Sequence, residues 1–519
     1  MTPALFIITI LAAADPLPWP PDLNDRLDRL VRENRAFWRV PGAVVAVTDG
    51  TNLRYSTAQG FADVAAGRRM DPNDVFPMAS CTKAFTTLLA GCLVDEGKMA
   101  WDDPVVRHLP WFKTGGNASY RPITLRDAAC HRSGYDAHDL LWYQRAESLR
   151  ARVERLGGLA PEAAPGERFR YQTSVFTTVG LAEEAVAGKS WEQLVGERIL
   201  KPLELNSTWT DPARVPAKRI PQGYRLDGEA RPVPANTYPW NGPDSTASIH
   251  ANAADICRWL NFHMGDGSWA GKRIISQANL QETHAPQITQ ELTPEVRVYH
   301  PFTKKIAYGL GWVIFDHRGD TVVAHAGAID GHRVQVTMVP SRKLAIVVLA
   351  NLEMTRMNLA TSLGIVDEVL NHPFRDYNRP YMRQMEMEAR LSLEKTSAEA
   401  RAQAALPAPT GTLTGKFHHP AYGDAVLSEN AGAWALELGP SKATLLQQGP
   451  ACWIAPGLTF GAAVVSFDGI DALVVGGRVG ARFGRKEDHG LIGCVQAHST
   501  SSAKDGFGCF LVEVTLART

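Results

Sequence analysis

The sequence predicts an α+β fold: an antiparallel sheet flanked by helices, with a large, mostly helical insertion, followed by a small antiparallel β-barrel. Three observations lead to this prediction. An amphipathic helical pattern precedes two strand-like runs near the N-terminus. Strand-like runs return only after residue 320. Short alternating runs punctuated by glycine then fill the last part of the chain.

The first domain begins with a helix, marked by Leu23, Leu27 and Val31 at helical spacing. Strands are predicted at residues 43–47 and 53–58, and this helix-then-hairpin opening favours a helix packed on an antiparallel sheet. Three later strands and a helix should complete the sheet domain, at residues 321–324, 334–339, 344–349 and 354–370. Both ends of a domain spanning residues 20–375 therefore build one sheet, and a mostly helical insertion covers about residues 80–315.

The C-terminal part reads as a linker and a second domain. A charged, alanine-rich helical stretch at 381–405 runs into Leu406-Pro407-Ala408-Pro409, so we assign residues 376–410 to a helical linker. Beyond it, short strand-like runs punctuated by glycine take over, such as 425–427, 434–438 and 472–475. This pattern predicts a small β-barrel or sandwich over residues 411–519.

The N-terminus and the composition bear on location and partners. Residues 4–14 are apolar and end in three alanines, which indicates a signal peptide over residues 1–14 and an exported protein, periplasmic or secreted. No Lys or Arg precedes the stretch, so an ordinary buried N-terminal element is the alternative. No segment is predicted to span a membrane stably. With 54 basic and 54 acidic residues, the chain offers nothing to attract nucleic acid.

Seven cysteines are scattered without the spacing of metal ligands. Cys81, lying in an apolar helical setting, is predicted to pack rather than to react. Cys452, Cys494 and Cys509 could form one disulfide in an exported protein.

The motif Ser80-Cys81-Thr82-Lys83 stands at the start of an apolar run with helical spacing. Residues three apart share a helix face, so Lys83 can reach back to the Ser80 hydroxyl and take its proton. Near a helix N-terminus, free N–H groups and the helix dipole favour developing negative charge. The sequence therefore predicts that Ser80 is a nucleophile.

Two further segments contain candidate catalytic residues. Tyr171 follows a Pro-Gly turn and precedes a helix expected near residue 175; its phenol can act as a base only beside a cation, which Lys83 could supply. His325-Ala326-Gly327 follows a short strand, and a glycine there would let substrate approach the strand edge. The backbone N–H groups of Ser80 and Ala328 could then form an oxyanion hole. Taken singly, a Tyr or a His is more often a structural residue.

Together these segments resemble the penicillin-binding-protein-like serine hydrolases. The group includes class C β-lactamases, D-aminopeptidases, related esterases and β-lactamase-like serine peptidases. Residues 76–83, Tyr171 in its setting and 325–327 match the three signature elements in order, and the segment His131-Arg132-Ser133-Gly134-Tyr135 supports the match. The resemblance covers about residues 23–370. Residues 413–423 also resemble the lipocalin-like β domain of some peptidases in the group.

The resemblance implies that Ser80 forms an acyl-enzyme while Lys83 and Tyr171 share its proton, with either residue as the formal base. His325 would orient a substrate carboxylate or hydrogen-bond Tyr171. Gly327, Ala328 and Thr173 would line the substrate site. The family commonly has Tyr-x-Asn where this chain has Tyr171-Gln172-Thr173, which weakens the expected contact with a substrate amide.

The function expected from the sequence is hydrolysis of a peptide, or of a small amide or ester, through a Ser80 ester. No metal and no organic cofactor are expected, and a homo-oligomer is allowed. One alternative is a carboxylesterase that uses the same residues, since an ester needs less help for its leaving group. Another is a non-catalytic binding protein that retains the fold, although such a protein would typically have lost Ser80 or Lys83.

Overall fold

The structure is a computed structural model that describes residues 17–116, 119–292, 297, 300–405, 410–456, 463–467, 472–475 and 481–485. Several sequence predictions lie outside these residues: the signal peptide at 1–14, residues 406–409 of the linker, and Cys494 and Cys509. The cysteines that are described, Cys452 included, are buried free thiols.

A nine-stranded antiparallel sheet forms the first domain. The strands are Gly42–Thr48 (β1), Leu53–Asp63 (β2), Arg68–Arg69 (β3), Ile288–Gln290 (β11), Ile306–Tyr308 (β12), Val313–His317 (β13), Asp320–Ile329 (β14), His332–Val339 (β15) and Leu344–Ala350 (β16). Their order in the sheet is β11-β12-β13-β14-β15-β16-β1-β2-β3. The central strands β1 and β16 pair directly, Val45 opposite Val348, and every residue of both is buried. The two ends of the domain therefore meet in one sheet, as the sequence predicted.

Helices cover both faces of the sheet because its central strands are apolar on both sides. The helices described are Leu23–Phe37 (α1), Thr82–Asp95 (α2), Val105–His108 (α3), Leu125–Ala129 (α4), Leu149–Glu154 (α5), Thr173–Ala187 (α6), Trp191–Val195 (α7), Ala253–His263 (α8), Gln277–Thr283 (α9), Met357–Val369 (α10) and Asn378–Ala404 (α11). On one face, α1 and α10 pack on residues such as Val45 and Val348. On the other face, α2 and α8 pack on Val44 and Val347.

The insertion ends earlier than the sequence predicted. Strands β11, β12 and β13 already belong to the large sheet, so the insertion stops before Ile288 rather than near Phe315. These strands are only three to five residues long, and Gly309 and Gly311 separate β12 from β13, which hides the strand period. Within the insertion, the helices are joined by small pairings at Phe76–Pro77 (β4), Thr208–Trp209 (β5), Tyr224–Leu226 (β6), Pro232–Pro234 (β7), His250–Ala251 (β8), Ser268–Trp269 (β9) and Lys272–Arg273 (β10).

The C-terminal domain is a closed antiparallel barrel of eight strands. They are Gly415–His419 (β17), Gly423–Asn430 (β18), Ala433–Leu438 (β19), Ser441–Gly449 (β20), Cys452–Ala455 (β21), Ala463–Phe467 (β22), Ala472–Val475 (β23) and Ala481–Arg485 (β24). Strand β17 pairs with β24, Phe417 opposite Arg485, and this pairing removes the free sheet edges. The predicted small barrel is confirmed.

The barrel packs on the first domain through one of its turns and through α11. Ala400 of α11 contacts Cys452 and Val464 on the barrel. On the insertion side, the Arg155 guanidinium donates a hydrogen bond to the Ala421 carbonyl at 3.0 Å. The Arg145 guanidinium likewise donates to the Tyr422 carbonyl at 2.8 Å. The turn at residues 420–422, between β17 and β18, is therefore held against the insertion. Among the described residues, no helix has the length and apolarity needed to cross a bilayer.

Candidate active site

Ser80 lies in a single 3-10 turn, Ala79–Cys81, that leads directly into α2. Strand β4, just before it, pairs with β8, and the Met78 N–H donates to the Ile249 carbonyl at 2.7 Å. Ala79 has a φ of +44°, a left-handed conformation that costs free energy in a residue with a side chain. The nucleophile candidate thus sits on a tight, pinned turn at a helix N-terminus, as its sequence position predicted.

Lys83 is completely buried, and its Nζ lies 3.2 Å from the Ser80 Oγ. The same Nζ donates to the Thr246 carbonyl, also at 3.2 Å. It lies over two aromatic rings, 5.1 Å from the ring centre of Tyr171 and 5.6 Å from that of Phe176. The structure therefore brings Ser80, Lys83 and Tyr171 together, with the amine beside the Ser80 hydroxyl and over the face of the Tyr171 ring.

Thr246 is a site residue that sequence reasoning missed, because it acts through its backbone carbonyl. The carbonyl is held in place by Asp244, whose Oδ1 accepts hydrogen bonds from the Thr246 N–H at 2.8 Å and from its hydroxyl at 2.6 Å. Asp244 is itself paired with the buried Arg152 at 3.0 Å. The position of the Lys83 amine thus depends on a turn more than 160 positions away in the sequence.

The ring of Tyr171 packs against the buried His131, with 4.0 Å between ring centres and a tilt of 34°. The His131 Nδ1 accepts the Gln172 N–H at 3.2 Å, which leaves its proton on Nε2. Burial and the Lys83 charge hold the pKa of His131 well below the usual value, so this ring is neutral. His131 is a second residue missed as a site member; its only sequence signal was the supporting motif at 131–135.

Thr173 is the first residue of α6 and is nearly buried, with 8% exposure. The neighbouring Gln172 is fully buried, and its side chain stabilises the start of α6. The Gln172 Oε1 accepts the Ser174 N–H at 2.8 Å and so caps α6, while its Nε2 donates to the Asp136 carbonyl at 2.5 Å. Helix α6 therefore begins two residues after Tyr171, slightly earlier than predicted.

His325 lies inside β14 rather than after a short strand, because β14 extends to Ile329. Its Nδ1–H donates to the Ala326 carbonyl at 2.7 Å, and its Nε2 accepts the Tyr308 hydroxyl proton at 2.8 Å. Burial and the Lys83 charge lower the pKa of His325 to about 3, so it is neutral. Its ring centre lies 6.5 Å from that of Tyr171. The arrangement differs from both sequence expectations, since neither nitrogen bonds Tyr171 or is left for a substrate carboxylate.

Gly327 lets β14 pass close to the turn before Ser80. The sequence analysis had instead expected this glycine to let substrate approach. A Cβ at this position would lie 2.2 Å from the Met78 carbonyl oxygen, so β14 can pass the turn before Ser80 only with glycine there. Ile329 pairs with His332 across a two-residue turn, and ladder bonds to β15 alternate from that pair. The Ala328 N–H therefore points away from β15, and its part in an oxyanion hole stays a prediction.

Cys81 follows the nucleophile but is fully buried, and burial raises the pKa of its thiol. Its Sγ lies 3.4 Å from the His325 carbonyl oxygen, a packing contact as the sequence suggested. Among the described residues there is no group of three or more His, Cys, Asp or Glu arranged to hold a metal ion.

Comparisons with known proteins show which family and which proteins the chain is similar to. The family model described as Beta-lactamase matches residues 27–363. The chain is 27% identical over 429 residues to "Unguisins hydrolase ungD'" of Aspergillus campestris, covering 77% of this chain and 78% of that protein. It is 25% identical over 338 residues to "Protein flp" of Staphylococcus aureus, covering 64% of each chain.

Two solved structures share the fold. The octameric penicillin-binding protein homologue from Pyrococcus abyssi superposes with a TM-score of 0.60 at 20% identity, covering 87% of this chain and 97% of that one. EstCE1, described as a hydrolase with promiscuous acyltransferase activity, superposes with a TM-score of 0.57 at 21% identity, covering 67% and 98%. The first match extends beyond the sheet domain, since it spans more of the chain than residues 27–363.

Proposed function

Because the chain belongs to the Beta-lactamase family, we propose that it is a serine hydrolase that cleaves peptides, or small amides or esters, through an acyl-Ser80 intermediate. One observation carries this proposal: the buried Lys83 amine lies 3.2 Å from the Ser80 hydroxyl at a helix N-terminus. A serine hydroxyl becomes a useful nucleophile only when a positioned base can take its proton.

In the proposed first step, the Ser80 Oγ attacks the substrate carbonyl carbon while its proton passes to the Lys83–Tyr171 pair. The oxyanion that forms accepts hydrogen bonds from the N–H groups of Ser80 and Ala328. The tetrahedral intermediate collapses, the leaving group takes the stored proton, and an ester to Ser80 remains. Water then attacks that ester, its proton passing through the same pair, and the acid product leaves with Ser80 restored.

A carboxylesterase is the second candidate, and Thr173 is the observation that favours it. A threonine at this position has one hydroxyl, whereas an asparagine amide can both donate to and accept from a substrate amide. The hydrolase name of the Aspergillus relatives and the hydrolase title of EstCE1 agree with either candidate. Ester and amide substrates that share one acyl group would separate them: turnover of the ester alone would exclude the peptidase.

The decisive test of the nucleophile is intact-mass analysis after treatment with a fluorophosphonate probe, on the wild type and on Ser80→Ala. We expect one adduct on the wild type and none on the variant. A matched control is Ser133→Ala, which removes another buried hydroxyl of the insertion. A folded wild type that stays unlabelled would contradict the acyl-Ser80 mechanism and favour the binding-protein alternative. An adduct that persists in Ser80→Ala would contradict the mechanism by showing that another residue is the reactive nucleophile.

Export and oligomerisation are also proposals. The apolar residues 4–14 support cleavage of a signal peptide after Ala14 and a periplasmic or secreted location. N-terminal sequencing of the protein from the exported fraction tests this. The octameric state of the Pyrococcus abyssi homologue supports a homo-oligomer, which light scattering at several protein concentrations would test.

A further inference from the structure

An aromatic wall stands beside the proposed oxyanion hole. It consists of four side chains from two separate segments of the insertion: Trp142, Tyr143, Tyr238 and Trp240. They pack on Ala79 and Ile329, the residues that directly precede Ser80 and follow Ala328. The rings contact one another, with 5.8 Å between the centres of Tyr143 and Tyr238 and 4.8 Å between those of Tyr238 and Trp240. The wall therefore borders the place where the acyl group of a substrate would lie.

Asp330 adds a carboxylate at the end of this wall. Its Oδ1 accepts the Tyr143 hydroxyl proton at 2.8 Å. Its Oδ2 is enclosed and has no hydrogen-bond partner among the residues that the structure describes. Burial and the nearby Glu353 raise the pKa of Asp330 to about 6, so the group is mostly ionised at pH 8. An enclosed carboxylate oxygen without a donor is costly and calls for a partner.

Together with its charged neighbours, Asp330 forms a group with a net negative charge. Glu353 approaches from the chain after β16, and its Oε2 accepts the Gly331 N–H at 2.9 Å. Arg333 supplies one positive charge, but its guanidinium donates to the Ile329 carbonyl at 3.2 Å and to the His332 carbonyl at 2.8 Å. Two carboxylates thus face one guanidinium, beside aromatic rings whose faces attract cations.

We propose that Asp330 and the aromatic wall form an acyl-side subsite for a substrate group that carries a primary ammonium on an apolar chain. Asp330 lies two residues beyond Ala328, in the turn that follows β14, so the Cα atoms of the two residues are roughly 5–7 Å apart. The ammonium would therefore sit several bonds from the reacting carbonyl, on a side chain rather than on the α-carbon. It would donate to the Asp330 Oδ2, and its alkyl chain would lie on the rings. This inference rests on the proposed function for its orientation relative to Ser80.

The kinetic test compares two esters that differ only at the chain end, 4-nitrophenyl 6-aminohexanoate and 4-nitrophenyl heptanoate, at pH 8. For the wild type, kcat/KM should be at least tenfold higher for the ammonium ester. In Asp330→Asn that preference should fall at least fivefold, through KM. The matched control Asp266→Asn changes an exposed acidic residue and should retain the preference. Equal preference in the wild type and in Asp330→Asn would overturn the subsite.

A binding measurement separates this inference from the proposed function. By calorimetry at pH 8, phenethylammonium should bind the wild type at least fivefold more tightly than 2-phenylethanol, and Asp330→Asn should lose the difference. If neither ester is hydrolysed while phenethylammonium still binds selectively, the hydrolase proposal fails and the subsite stands. Equal binding of the two compounds to the wild type overturns the subsite without reference to any variant.

Discussion

A hydrogen-bonded relay connects the barrel to the catalytic tyrosine candidate. The Tyr422 hydroxyl, on the barrel turn, lies 2.7 Å from the Nδ1 of the buried His138. The His138 Nε2 lies 3.1 Å from the Glu162 Oε1, and the Glu162 Oε2 accepts the Asp136 N–H at 2.9 Å. The Asp136 carbonyl in turn accepts the Gln172 side chain, which caps α6 next to Tyr171. The barrel therefore helps to hold Tyr171 in place.

Replacing Tyr422 with Phe removes one hydroxyl and leaves the relay without its barrel end. A buried hydrogen bond contributes about 1 kcal/mol, and a partner left unsatisfied costs about 1–3 kcal/mol. If about 1–2 kcal/mol of this is lost from the orientation of Tyr171, kcat falls roughly 5- to 30-fold. KM should change little, because Tyr422 lies outside the proposed substrate site.

The assay is single-turnover acylation by the fluorophosphonate probe, together with kcat and KM on a neutral ester. The matched control is Tyr55→Phe, which also removes a hydroxyl that bonds at 2.7 Å, to the Asp28 carboxylate on the far side of the sheet domain. If Tyr422→Phe acylates as fast as Tyr55→Phe while both lose the same stability, the relay has no role in positioning Tyr171 and the reasoning is refuted.

Three further predictions concern the site and its supports. Lys83→Ala and Tyr171→Phe should each slow fluorophosphonate acylation at least a hundredfold while the circular dichroism stays native; a rate near wild type in either would contradict the shared proton role. Gly327→Ala should lower the free energy of unfolding by more than about 2 kcal/mol in urea, because its Cβ would lie 2.2 Å from the Met78 carbonyl; an unchanged midpoint would refute the close approach. Burial and Glu184 raise the pKa of Glu183 well above its usual value, so the folded state keeps this carboxyl protonated and loses stability as pH rises above the unfolded pKa. Glu183→Gln should therefore gain at least about 1 kcal/mol over the wild type at pH 8 and little at pH 4, and an equal gain at both pH values would contradict this.

Structural features that depend on residues close together in the chain could be predicted from the sequence. The approach of Lys83 to Ser80 follows from helix spacing, and the apolar strands β1 and β16 follow from uninterrupted runs of buried residues. The short strands β11 to β13 were missed because three to five residues carry too little period. The contact with the Thr246 carbonyl could not be predicted, because a residue of any type has a backbone carbonyl.

Contacts between distant segments were the other part that the sequence could not reveal. The stacking of His131 on Tyr171 joins two segments of the insertion. The bond from Tyr308 to His325 joins two strands of the sheet through side chains alone. The sequence shows each of these residues as an aromatic or a histidine, but only the fold determines which rings face each other. The resemblance placed His325 near the site, and the structure determined what its nitrogens bond.

The neutral side chains in the site limit which groups can carry the proton that Ser80 releases. Burial keeps His131 and His325 uncharged and raises the pKa of the Tyr308 phenol well above its usual value. The two imidazoles are therefore poor bases for the Ser80 proton, and the Tyr308 phenol is a poor acid. Among the described residues of this cluster, Lys83 and Tyr171 therefore remain as the proposed carriers of the proton that Ser80 releases. A histidine that remained basic here would compete for that proton, so the tight burial of both imidazoles supports the catalytic role of the Lys83–Tyr171 pair.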